Sequence, residues 1–72
     1  MDNEMHLLDV VALTEDIPER GLQRGQVGTI VEVLAPGVFE VEFADNHGRT
    51  YAFLAIPDEK LMALRHEPAG VC

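Results

Sequence analysis

Apolar residues in this chain come in short runs, separated by segments rich in Gly, Pro, Asn and Asp. No stretch longer than about nine residues has helical spacing. The runs are LLDVVAL at 7–13, VGTIVEVL at 27–34, VFEVEF at 38–43 and RTYAFLAI at 49–56. VFEVEF alternates strictly, as a strand with one buried face must. PDEKLMALR at 57–65 places a proline where a helix can start, and LMAL follows as a short strand. The pattern predicts an all-β fold of five short strands with one helical turn before the last. A small open sheet leaves two edges exposed, so five strands in so short a chain favour closure into a barrel.

Size and charge narrow the function. Seventy-two residues allow one domain, expected to span 1–72, with a core at about 7–65 and flexible tails at 1–6 and 66–72. A domain this small buries only about 60% of the surface its unfolded chain exposes. Its single cysteine, Cys72, cannot form an internal disulfide. Thirteen acidic residues against five Lys and Arg give a net charge of −8, which argues against a polyphosphate partner. No apolar run approaches the roughly 18 residues of a membrane span. MDNEMHLLDVV is acidic where a signal peptide would be basic. A soluble, cytoplasmic protein is expected.

Alternation also predicts register. A three-residue loop at Asn46–Gly48, with Gly48 left-handed, sets Asp45 opposite Arg49, Phe43 opposite Tyr51 and Val41 opposite Phe53. A similar loop at 35–37 sets Val33 opposite Phe39 and Val31 opposite Val41, although Pro36 fits such a turn poorly. The expected core is then Val11, Leu13, Val27, Val31, Val33, Phe39, Val41, Phe43, Phe53 and Leu61, with Tyr51 at its edge. Ile30, Leu34, Leu54 and Ile56 fall on the other strand faces, as an apolar patch if nothing covers them.

The segment DVVALTEDIPERGLQRGQVGTIVEV at 9–33, with its Gly25-x-x-Gly28-Thr29-x-Val31-x-Val33 phrase, resembles the first two strands of an SH3-like barrel of the KOW type. Gly25 would supply a positive φ at the loop exit, and Gly28 would permit a bulge or a close backbone approach. The span 7–64 also resembles a family of short bacterial proteins known only as a domain of unknown function. That resemblance implies a small five-stranded SH3-like barrel, and more loosely a gene neighbourhood containing small toxin-like proteins.

KOW-type domains in ribosomal and transcription proteins neutralise phosphate with Lys and Arg. Here the long loop at 14–26 sets Glu15, Asp16 and Glu19 against Arg20 and Arg24, and Glu32, Glu40 and Glu42 occupy outward strand positions. Nucleic acid is therefore not the expected partner. The three histidines, His6, His47 and His66, share no metal-ligand spacing with one another or with Cys72. The chain has no serine, and Asp58-Glu59 sits where it would favour a helix dipole. No catalysis, cofactor, metal or small-molecule substrate is expected.

The expected function is a non-catalytic protein-interaction module binding a basic protein, in its most specific form an antitoxin- or immunity-like one. The candidate partner contacts are Ile17, Arg20, Leu22, Arg24, Glu32, Glu40 and Glu42. The alternatives are a KOW-like module associated with RNA or the ribosome, which needs Arg20, Arg24 and Arg49 on one face, and an oligomeric structural subunit that buries Ile30, Leu34, Leu54 and Ile56 between copies.

Overall fold

A computed structural model describes residues 5–45 and 47–64. It contains five strands: β1 (Val10–Leu13), β2 (Val27–Ala35), β3 (Val38–Ala44), β4 (Thr50–Pro57) and β5 (Leu61–Ala63). One 3-10 turn, Pro18–Arg20, interrupts the β1–β2 loop, and a second, Asp58–Lys60, joins β4 to β5. The strands form one antiparallel sheet in the order β4-β3-β2-β1-β5. The all-β expectation holds, including the helical turn before the last strand.

The sheet cannot be flat. Its outermost strands are β4 and β5, yet only the second 3-10 turn separates them in sequence. Four strand spacings of about 4.8 Å would place flat edges about 19 Å apart. The four residue steps from Pro57 to Leu61 reach at most about 14 Å. The sheet therefore curls until its edges approach, and its concave side encloses Val11, Leu13, Ile30, Phe39, Val41, Phe43, Leu54, Ile56 and Leu61. The β1–β2 loop adds Ile17 and Leu22 to the same cluster, and Met5 packs against it. Met5 thus belongs to the folded body, where a tail was expected; 1–4 and 66–72 lie outside the described residues.

The strand faces differ from the alternation reading, for a definite reason. The β2–β3 register is shifted between Ile30 and Glu32, and the β3–β4 register between Phe43 and Ala44. Each irregularity adds a residue to one strand and reverses the facing of everything beyond it. The β3–β4 hairpin begins as expected: Asp45 N–H donates to the Arg49 carbonyl (2.9 Å), and Gly48 has φ +79°. After the bulge, Phe43 opposes Ala52 and Val41 opposes Leu54, in place of Tyr51 and Phe53. Val41 likewise opposes Ile30, not Val31, while Val33 opposes Phe39 as expected.

The core changes accordingly. Ile30, Leu54 and Ile56 are buried within the chain, which removes them from the apolar patch expected of them. Val27 and Phe53 are exposed instead of buried, and Val31 is only half-buried; Val33 keeps its expected partner, Phe39, but is exposed near the end of β2. Leu34 is exposed, as expected.

The β2–β3 connection is a two-residue loop, Pro36-Gly37, closing the Ala35–Val38 pair. The twist-matched hairpin turns need a positive φ at their first residue, which proline cannot adopt. Only Gly37 takes one (φ +75°), and a register shift between Val33 and Ala35 accommodates the mismatch. The Gly37 carbonyl accepts the Asp58 N–H (2.8 Å), so this turn also holds the start of the second 3-10 turn. Asp45 makes no ion pair with Arg49 among the described residues. Its carboxylate accepts the backbone N–H groups of His47 (2.9 Å) and Arg49 (3.0 Å).

Gly25 and Gly28 act as read. Gly25 has φ +92° and donates its N–H to the Leu13 carbonyl (2.8 Å). Gly28 has no room for a side chain: a Cβ there would stand 2.7 Å from Val41 Cγ1 and 2.8 Å from the Glu42 carbonyl.

Candidate interaction surfaces

The convex face of β2, β3 and β4 carries an acidic row. Glu32 and Glu40 are directly opposite across β2 and β3. Opposed residues of an antiparallel pair project from the same face. Glu42 lies two residues along β3 from Glu40, on the same face, because Phe39, Val41 and Phe43 take the buried positions. The register then places Phe53 beside Glu42 and Ala55 beside Glu40. Phe53 is 50% exposed. The Thr50 hydroxyl donates to the Glu42 carboxylate, which fixes one of the three acids in place. The result is an aromatic ring bordered by carboxylates on a sheet face.

This face was only partly legible. Glu32, Glu40 and Glu42 were expected on it; Phe53 was not. Both phases of TYAFLAIP are plausible strand faces, with Ala52, Leu54 and Ile56 on one side and Tyr51, Phe53 and Ala55 on the other. The bulge beside Ala44 selects between them.

The β1–β2 loop divides the remaining candidate contacts. Ile17 and Leu22 form a two-residue bridge, with N–H to carbonyl bonds of 2.9 and 3.1 Å in the two directions. Both side chains are buried, Leu22 at 1% exposure, so they anchor the loop to the core. Arg20 and Arg24 are exposed. The Arg24 N–H is held by the Asp16 carboxylate (2.8 Å), while Arg20 reaches across to donate to the Phe53 carbonyl (3.4 Å). Arg49 stands at the β3–β4 turn. Arg20 is thus held through its guanidinium, whereas the bonds at Arg24 and Arg49 are made by their backbone N–H groups.

Where the loop folds toward β4 it leaves a cleft of about 220 Å³. Ile17, Leu54, Ile56 and Pro57 form its apolar side, with Arg20, Lys60 and Glu19 at its polar boundary. Lys60 carries no sequence signal of a site, because a lone lysine after Asp58 and Glu59 looks like the end of a helical turn. Among the described residues no group of His, Cys, Asp and Glu is arranged to hold a metal ion. None of their helices is long and apolar enough to cross a membrane.

A family model described as a domain of unknown function (DUF4926) matches residues 7–63. No curated protein and no solved structure matches the chain.

Proposed function

The chain belongs to the DUF4926 family, and from that premise we propose that it is a small SH3-like barrel serving as a non-catalytic interaction module for a basic protein. The β4-β3-β2-β1-β5 order and the short turn between β4 and β5 support the barrel assignment. The observation that carries the function is the acidic row Glu32, Glu40 and Glu42 with exposed Phe53 among its side chains. Two like charges directly opposed across a sheet are locally destabilising. A lysine- or arginine-bearing segment would relieve that repulsion, and a cation over the Phe53 ring adds a further attraction. Complementary charge also speeds and selects association. In its most specific form the partner is a basic protein encoded beside this one, which the module would neutralise as an antitoxin or immunity protein does.

The test is co-purification with the product of the adjacent gene at low salt, alongside a variant carrying Glu32→Gln, Glu40→Gln and Glu42→Gln. Binding lost both in the variant and at high salt is the expected result. Absence of binding with both proteins folded overturns the specific form. Equal binding by the variant overturns the acidic face as the contact.

A further inference from the structure

We propose a second binding surface of opposite polarity: the cleft between the β1–β2 loop and β4 takes an extended peptide segment that carries a carboxylate. Three observations combine here. First, β4 is an edge strand that pairs with β3 alone, so its other side offers backbone groups to a further chain, apart from the Phe53 carbonyl that Arg20 occupies. Second, the cleft beside that edge is about 220 Å³ and backed by Ile17, Leu54 and Ile56. This is below the roughly 300–1,000 Å³ of small-molecule sites, so it suits one or two peptide side chains better than a cofactor. Third, two of the protein's five Lys and Arg residues, Arg20 and Lys60, border it. Neither forms an ion pair among the described residues, and Glu19 is the one acid of the lining.

Charge complementarity selects the occupant. In a chain of net charge −8, this cleft has a local excess of positive charge, whereas the Glu32–Glu40–Glu42 face is wholly acidic. A basic segment suited to that face is repelled here. The Arg20 guanidinium already donates to the β4 backbone at Phe53, which holds it at the strand edge where a carboxylate on an added strand could meet it. The apolar lining would receive an aliphatic side chain next to that carboxylate.

The experiment is a titration of the full 72-residue chain, followed by amide NMR shifts, with three N-acetylated, C-amidated octapeptides of alternating valine and polar residues. One carries two glutamates, one two glutamines and one two lysines. The glutamate peptide is expected to shift the amides of Ile17, Glu19 and Arg20 and of residues 54–56 and 58–60, and to bind about fivefold more weakly to each of R20Q and K60Q. The R20Q and K60Q proteins should unfold at the wild-type urea midpoint, since both side chains lie at the surface. Four results overturn the proposal: no shifts at these residues, equal binding of the glutamine peptide, undiminished binding by both variants, or shifts that follow protein concentration without peptide. The last would assign the cleft to a second copy of the chain. The lysine peptide tests the acidic face separately, so either surface can fail without the other.

Discussion

Ile17 and Leu22 are joined by a reciprocal pair of backbone hydrogen bonds, and both side chains enter the core beneath the sheet. The loop that holds them therefore serves as part of the core as well as a connection. Replacing Leu22 by Ala should cost about 2–5 kcal/mol, the range for truncating a buried leucine. Urea unfolding of the purified protein measures it. A loss below about 1 kcal/mol would mean the loop is not docked.

Gly28 lies against Val41, the Glu42 carbonyl and Phe43. Two of these neighbours belong to the core and one is backbone, so none can yield cheaply. Gly28→Ala should destabilise by about 1–3 kcal/mol through overpacking. Chemical denaturation checks this, and a neutral result would contradict the fit between the two strands.

Leu8 has φ +72° and is 70% exposed. The turn that contains it is closed by Asp9 N–H donating to the His6 carbonyl (3.0 Å). A left-handed leucine costs roughly 1–2 kcal/mol, whereas asparagine tolerates that conformation. Leu8→Asn should stabilise the fold by up to about 1 kcal/mol, read as a higher urea midpoint with no change in the slope of the transition. A lowered midpoint would show that the leucine makes stabilising contacts despite its exposure.

Glu32 and Glu40 repel one another across β2 and β3. Glu40→Gln should stabilise the fold by about 0.2–1 kcal/mol at low ionic strength. Salt at about 1 M shortens the screening length to about 3 Å and should erase most of the difference. Thermal melts at the two salt concentrations test this. If the proposed function is right, the same substitution weakens binding to the basic partner, so stability and binding move in opposite directions.

Strand number, strand order along the chain and turn positions were legible because Gly, Pro and Asn mark the ends of each run. The two close-packing and turn glycines, Gly25 and Gly28, were legible for the same reason. The facing of individual side chains was not. Val31 and Phe53 alternate correctly with Val41, but bulges at Ile30/Glu32 and Phe43/Ala44 replace them with Ile30 and Leu54. A bulge is a compromise between neighbouring strands and leaves little mark on either alone. The outward phase of β4 in turn decided that Phe53 joins the acidic face. The cleft was hidden for another reason: Arg20 and Lys60 lie forty positions apart in the chain, and only the docking of the loop brings them to one place.

The curled sheet also sets an order of events during synthesis. β1 emerges first among the strands, but one of its two partners is β5, with Val11 opposite Ala63 and Leu13 opposite Leu61. The β2–β3–β4 meander needs only pairings between strands that follow one another in the chain. β1 can join β2, but its outer side stays bare until the ribosome has released residues 61–63. Until β5 docks, β1 presents an unpaired strand edge, and the docking of these three residues covers it.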